Sequence, residues 1–189
     1  NGGQILYKGK KVSIRSPKHA VEMGIGMVHQ HFRLIPTLTA AENVFLYMPE
    51  CKFILNKKEM EEQIGKWSKE FHLDVEPSAL IWQLSVGEQQ RVEIVKLLCR
   101  GADILILDEP SAVLTAQEAK EMFHVLRRMA DSGKSVVVIS HKMNEVMEFA
   151  DRITVLKGGE VEDTMPASEA TVERLTKAVV GERELKPHK

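Results

Sequence analysis

The segment Ile104-Leu105-Ile106-Leu107-Asp108-Glu109-Pro110 is a continuous apolar run that ends in two carboxylates and a proline. A strand with no polar alternation is typical of a parallel sheet that is covered on both faces. A second such run, Val136-Val137-Val138-Ile139, follows a helical pattern over residues 116–131. Strand, helix and strand in alternation predict an α/β fold with a parallel sheet and right-handed crossovers.

The patterns on either side of this unit differ from it. Residues 3–39 predict a hairpin, a short helix capped by Ser16, and a strand over Ile25–Val28. Residues 40–100 have helical periodicity, including a helix from about Val86 to Cys99. We therefore predict three parts, which by residue number are a core (1–39 and 101–165), a helical subdomain (40–100), and a C-terminal helix with a linker (166–189).

Composition excludes several classes of protein. The chain of 189 residues has 26 Lys and Arg against 27 Asp and Glu, and this lack of a basic surplus argues against nucleic acid as a partner. No apolar run approaches the roughly 18 residues of a membrane-spanning helix. Cys51 and Cys99 show no paired-ligand spacing, which argues against a disulfide scaffold or a zinc site. The start at Asn1 has no initiator Met, so we expect a piece of a longer chain.

Polar side chains follow each predicted core strand at its carboxyl end. Asp108 and Glu109 close one strand, His141 follows the next, and Gln30 follows the short strand before them. Ligands of open α/β sheets bind beyond this edge. One carboxylate can hold Mg²⁺ and its neighbour can orient a water molecule. A solvated strand end with a turn at Pro110 explains the two acids equally well.

A third pattern is Leu84-Ser85-Val86-Gly87-Glu88-Gln89-Gln90-Arg91, directly before an apolar helical pattern. Ser85 is a candidate N-cap, and Gly87 allows a close approach of the backbone to another group. Free N–H groups at a helix start can hold a phosphate. An ordinary capped helix is the alternative.

Together and in this order, the motifs resemble those of the ATP-binding cassette (ABC) ATPases. Leu84–Arg91 resembles the signature motif, and Leu105–Pro110 resembles the Walker B strand with its glutamate. Ser111–Thr115 falls at the D-loop, His141 at the switch histidine and Gln30 at the Q-loop glutamine. The resemblance implies a P-loop NTPase-like core, with a parallel sheet and a small helical subdomain.

The resemblance also implies a role for each residue. Asp108 and Gln30 would hold Mg²⁺, Glu109 would orient or deprotonate the attacking water, and His141 would contact the γ-phosphate of ATP. A second cassette, from the same or a homologous chain, would face this site with its own signature segment, which here comprises Ser85, Val86, Gly87 and Glu88. The other implied partners are membrane permease subunits and, indirectly, an extracellular or periplasmic substrate-binding protein. The implied location is the cytoplasmic face of the cell membrane.

The residues within these motifs are similar to those of importers for simple sugars and nucleosides, in which two cassettes are usually fused. Val179–Arg183 resembles the end of a first cassette. Val86 and Glu88 stand where most signatures have glycine and glutamine, and Ala112 and Thr115 stand where most D-loops have serine and aspartate. These departures are familiar in the sugar and nucleoside group.

No G-x-x-x-x-G-K-[ST] motif occurs in the sequence. That loop grips the nucleotide phosphates, and in the family it lies upstream of the hairpin with which this chain begins. We therefore expect a chain that starts after the P-loop helix and that is inactive alone. Two alternatives stay open: a soluble ABC ATPase of translation or repair, and a non-enzymatic docking piece. Gln30 and Ser85 are only 55 positions apart, which excludes the long coiled-coil arm of the repair proteins.

Overall fold

A computed structural model describes residues 3–30, 32–46, 48 and 57–180. The chain forms two compact units, residues 1–139 and 140–189. The predicted division into a core, a helical subdomain and a C-terminal part stays a prediction.

The first unit contains five strands and five α-helices among the described residues. Its elements in chain order are β1 (Ile5–Tyr7), β2 (Lys10–Val12), α1 (Pro17–Glu22), β3 (Ile25–Val28), α2 (Ala40–Phe45), α3 (Lys57–Glu70), a 3-10 helix (Ile81–Gln83), α4 (Val86–Cys99), β4 (Ile104–Asp108), α5 (Ala116–Asp131) and β5 (Ser135–Ile139). The predicted hairpin, the Ser16-capped helix and the helices over 86–99 and 116–131 are confirmed.

The central sheet has the order β3-β4-β5, and both of its strand pairs are parallel. Met27 pairs with Ile106, which pairs with Val137, so these three side chains share one face. Gly26, Leu105 and Val136 form the next row and lie on the opposite face. The α/β fold with a parallel sheet, predicted from the apolar runs, is confirmed.

Within the part of the chain that the structure describes, one face of this sheet is well covered and the other is partly open. Leu105 and Leu107 are fully buried, and a Cβ added to Gly26 would lie 3.0 Å from the side chain of Leu97 in α4. On the other face, Val137 and Ile139 are each 49% exposed. The prediction that these strands are covered on both faces is therefore wrong for β5. Its apolar run has the composition of a buried strand, but its packing is one-sided.

Three helices of the first unit begin with the same reciprocal cap. In α2, α4 and α5 the residue three positions after the N-cap is a glutamate. The N-cap hydroxyl accepts the backbone N–H of this glutamate, and the glutamate side chain accepts the backbone N–H of the N-cap residue. The pairs are Thr39 with Glu42, Ser85 with Glu88, and Thr115 with Glu118. Each box satisfies two backbone donors that a helix start otherwise leaves unpaired.

The second unit is an antiparallel hairpin packed with helices. Its elements are α6 (Met143–Phe149), β6 (Arg152–Lys157), β7 (Glu160–Pro166), a 3-10 helix (Ala167–Glu169) and α7 (Val172–Val180). Ile153, Val155 and Met165 of the hairpin form a buried cluster with Leu175 of α7. An ion pair between Arg174 and Asp163, at 2.8 Å, adds to this packing.

The predicted C-terminal helix is confirmed as far as Val180. The end of the stretch that resembles the close of a first cassette, from Gly181 to Arg183, lies outside the described residues. Among the helices that the structure describes, none combines the length and the apolar character needed to cross a bilayer.

Candidate functional site

The candidate site residues Gln30, Asp108 and Glu109 lie at one edge of the central sheet. Asp108 is the last residue of β4 and pairs with Ile139 of β5. Gln30 comes two residues after Val28, the last residue of β3, which pairs with Leu107. Because β3 and β4 are parallel neighbours, their carboxyl ends meet at this edge. The structure therefore brings these three predicted residues to the same edge of the sheet, at the carboxyl ends of its strands.

Glu109 has an unusual backbone conformation. Its φ is +46°, in the left-handed region that a residue with a side chain occupies at a cost. Its N–H still donates to the carbonyl of Ile139 at 2.9 Å, and its own carbonyl accepts the N–H of Ala112 at 3.1 Å. Asp108 thus completes the strand, and the chain turns away from the sheet at Glu109. Such strain is typical of functional positions.

The signature segment forms the start of α4. Ser85 Oγ accepts the N–H of Glu88 at 3.3 Å, and Glu88 Oε2 accepts the N–H of Ser85 at 2.7 Å. The bond from the Ser85 N–H lowers the pKa of Glu88, so its carboxylate is held in the charged form. The Ser85 hydroxyl also hydrogen-bonds the Glu88 carboxylate, which lowers the pKa of Glu88 further. The capping box therefore uses the Ser85 hydroxyl both as an acceptor and as a donor.

Gly87 lies against the start of α5. A Cβ at Gly87 would lie 3.1 Å from Glu118 Oε1. Glu118 is itself fixed, since its Oε2 accepts the N–H of Thr115 at 2.9 Å and the Thr115 hydroxyl at 2.8 Å. The Thr115 N–H also lowers the pKa of Glu118. One carboxylate therefore joins the signature segment to the end of the predicted D-loop.

Glu118 is not among the site residues predicted from the sequence. The pattern Thr115-Ala116-Gln117-Glu118 is a capping-box signature and predicts the bond to Thr115. The contact with Gly87, which lies 31 positions earlier, depends on how α4 and α5 pack, and no local pattern encodes it.

His141 belongs to the second unit and follows β5 by two residues. Its side chain is exposed. Its predicted contact with the γ-phosphate of ATP stays a prediction, as does the phosphate-binding role of Ser85, Val86, Gly87 and Glu88.

The donors at the sheet edge fit a magnesium ion that is shared with a phosphate ligand. Asp108 offers carboxylate oxygens and Gln30 an amide oxygen, which are ligands that Mg²⁺ prefers. Among the described residues, no cluster of three or more His, Cys, Asp or Glu side chains could hold a metal without help. Mg²⁺ commonly takes one or two protein oxygens and completes its shell with water and substrate phosphates.

The sequence of the chain matches that of a known protein family. The sequence model described as "ABC transporter" matches residues 1–112, more than half of the chain. The chain belongs to the ABC transporter family.

Relatives of this ABC protein carry names of import systems. It is 46% identical over 180 residues to the nucleoside import ATP-binding protein NupA of Lactococcus lactis subsp. cremoris. It is 42% identical over 188 residues to the ribose import ATP-binding protein RbsA of Caldanaerobacter subterraneus subsp. tengcongensis. These alignments cover 95% and 98% of this chain, but only 36% and 38% of the relatives. The chain thus spans little more than a third of the length of the curated relatives it matches.

Solved structures with the same fold include ABC cassettes. The dimeric post-hydrolysis state of the cassette MJ0796, bound to ADP and Pi, superposes with a TM-score of 0.70 at 29% identity. The alignment covers 88% of this chain and 74% of that one. CbiO1 of Clostridium perfringens, at 24% identity, has a TM-score of 0.76 over 93% of this chain and 70% of its own, and supports the fold alone.

We predict that Glu118 limits the stability gained by the Gly87→Ala substitution. Alanine favours a helix over glycine by about 1 kcal/mol, but here its Cβ would crowd the Glu118 carboxylate. We expect Gly87→Ala to gain little or lose stability alone, and to gain up to about 1 kcal/mol in a Glu118→Ala background. Urea unfolding of the four proteins measures this coupling.

Gly65→Ala in α3 is the matched control for this cycle. A Cβ at Gly65 meets no atom within 4 Å, so the control should gain the same stability in both backgrounds. An equal gain from Gly87→Ala in both backgrounds would show that Glu118 does not limit the site.

The positive φ of Glu109 predicts that a glycine variant at this position is more stable than an alanine variant. Glycine adopts this conformation without the cost that a Cβ brings. The free energy of unfolding of Glu109→Gly, measured with urea, should therefore exceed that of Glu109→Ala by about 1 kcal/mol. At the exposed helical position Lys120 the same pair should show the reverse order. A more stable alanine variant at position 109 would remove the strain argument.

Proposed function

We propose that this chain is part of the ATP-binding and ATP-hydrolysing subunit of a membrane importer for simple sugars or nucleosides. Membership of the ABC transporter family supports the proposal, as do relatives named as import ATP-binding proteins for nucleosides and ribose. The observation that carries it is the meeting of Gln30, Asp108 and Glu109 at the carboxyl edge of a parallel sheet.

The proposed roles follow from the chemistry of each side chain. Asp108 and Gln30 supply oxygen ligands for Mg²⁺, which when bound neutralises charge on the ATP phosphates. Glu109 leaves the strand at its positive φ and orients or deprotonates the water that attacks the γ-phosphate. His141 donates to a γ-phosphate oxygen. The reaction is phosphoryl transfer to water, and it depends mainly on positioning and charge neutralisation.

The signature segment acts on a second cassette in this proposal. The N-terminus of α4 presents the Ser85 hydroxyl and free N–H groups, to which the helix dipole adds positive potential. Ser85, Val86, Gly87 and Glu88 would bind the ATP held by the facing cassette. The bond from Ser85 holds the charged Glu88 carboxylate at its own helix start, where its negative charge weakens the attraction of this end for a phosphate.

The remaining partners follow from the same proposal. Permease subunits in the membrane receive the motion of the cassette pair, and a substrate-binding protein outside the cell delivers the sugar or nucleoside to them. The subunit works as a peripheral protein on the cytoplasmic face of the membrane. The substrate is chosen by the permease and the binding protein rather than by the residues of this chain.

The Glu109→Gln substitution in the intact importer tests the catalytic role. The amide keeps the shape of the side chain but cannot accept a proton, so ATP turnover should fall by about 10²–10⁴-fold while ATP binding is retained. His141→Ala should also lower turnover strongly. Phosphate release and nucleotide binding are measured in parallel, with Glu121→Gln on the exposed side of α5 as control. Unchanged turnover in Glu109→Gln would remove Glu109 from this role.

The chain of residues 1–189 alone should bind ATP weakly and hydrolyse it negligibly. Its sequence contains no P-loop motif, so it lacks the backbone cradle and the lysine that grip the phosphates. Titration calorimetry with ATP and Mg²⁺ measures the affinity, and addition of the P-loop segment of a relative upstream of Asn1 should raise it. Micromolar affinity in the chain alone would contradict this proposal.

A further inference from the structure

A buried ion pair on α4 holds the segment that follows Gln30. The backbone N–H of Arg33 donates to Glu93 Oε1 at 2.8 Å, and Glu93 Oε2 lies 2.6 Å from Lys96 Nζ. Glu93 and Lys96 are 5% and 6% exposed. Both belong to the helix that begins at Ser85. One carboxylate thus binds a loop amide through one oxygen and a buried cation through the other.

Stability alone is a poor explanation for such a pair. Removing two charges from water is costly, and a well-packed apolar pair of similar volume is often as stable or more so. In some proteins a buried charge fixes one arrangement against alternatives, and here the arrangement it would fix includes the backbone of Arg33. The i,i+3 spacing places Glu93 and Lys96 on one face of α4, toward this segment.

The Arg33 bond restricts where Gln30 can go. On one side, Val28 is fixed by the pairing of β3 with β4. On the other side of Gln30, Arg33 follows three residues later, and an extended chain of that length spans at most about 11 Å. Beyond it, Asn43 of α2, fully buried, accepts the N–H of Ile35 at 2.7 Å and donates to the Ile35 carbonyl at 3.1 Å. Gln30 therefore lies on a short loop with fixed ends.

We propose that Glu93 is a positioning residue for Gln30. Through the Arg33 N–H it sets the distance of the Gln30 amide from the Asp108 carboxylate, and it ties that distance to the position of the signature helix. The inference rests on the proposed function, because it assumes that Gln30 and Asp108 share a magnesium ion. The feature that matters is the oxygen that accepts the Arg33 N–H, with the lysine present to balance its charge.

Two double variants separate the effect of the oxygen that accepts the Arg33 N–H from the effect of the buried charges. Glu93→Gln with Lys96→Met removes both charges and keeps an oxygen acceptor for the Arg33 N–H. Glu93→Leu with Lys96→Met removes both charges and the acceptor as well. Ser68→Ala is the control for loss of a buried acceptor elsewhere, because Ser68 Oγ accepts the N–H of Val75 at 2.8 Å.

Amide hydrogen exchange on residues 32–35 reports the anchor directly. We expect exchange there to rise by about tenfold or more in the leucine variant and by much less in the glutamine variant, since a lost bond of about 1.4 kcal/mol corresponds to a factor of ten. Ser68→Ala should leave this segment unchanged. Equal exchange in the two double variants would overturn the anchoring role.

The Mg²⁺ requirement of ATP turnover in the intact importer reports the effect on Gln30. The leucine variant should need several-fold more Mg²⁺ for half-maximal turnover than the glutamine variant, and the difference should vanish in a Gln30→Ala background. A difference that persists without Gln30, or faster exchange with an unchanged Mg²⁺ requirement, would overturn the proposal. Absence of ATP turnover in the unmodified importer would instead refute the proposed function, while the exchange result would still decide whether Glu93 anchors the segment.

Discussion

The pairing of β4 with a parallel strand on each side is the constraint on which the rest of the first unit depends. Parallel pairing brings the ends of β3 and β4 to one edge, so two stretches that are distant in sequence bring Gln30, Asp108 and Glu109 to the same edge. The same pairing holds the backbone up to the point where the chain turns at Glu109. An enzyme gains from such an arrangement because the ladder, rather than a flexible loop, determines the separation of its reacting groups.

Helix α4 connects the elements around this edge. At its start, the Glu118 carboxylate lies where a Cβ on Gly87 would be crowded, and it is fixed by Thr115 at the end of the loop that follows β4. In its middle, Glu93 binds the segment that follows β3. Toward its end, Leu97 packs on Gly26 in the covered face of the sheet. A shift of α4 would therefore change the surroundings of the loops after both β3 and β4.

Much of this arrangement was predictable from local patterns. The helix over 86–99, the cap at Ser85 and the parallel sheet follow from periodicity, capping chemistry and the position of apolar runs. The order of the motifs was enough to identify the family. These features depend on residues close together in sequence or on a pattern that is strict in its order.

Other features depend on packing between distant segments, and local patterns do not contain them. The one-sided cover of β5 is an example, because Val136–Ile139 has the composition of a strand buried on both faces. Glu93 is another, because a charged residue within an apolar helix pattern gives no sign of which backbone N–H it will meet. The left-handed φ of Glu109 is a third, since glutamate has no preference for that region. Structure was needed for all three.

The repeated capping boxes make the first unit sensitive to acid at three places together. In Glu42, Glu88 and Glu118 the N-cap backbone N–H is the main cause of a pKa below the ordinary value for glutamate. A carboxylate of this kind contributes stability above its ordinary pKa and loses that contribution as the pH falls through the lowered value. Acidification through each lowered pKa would therefore weaken the starts of α2, α4 and α5. The pairing of the central sheet uses backbone groups, so this loss would fall on the helix starts rather than on the strand ladder.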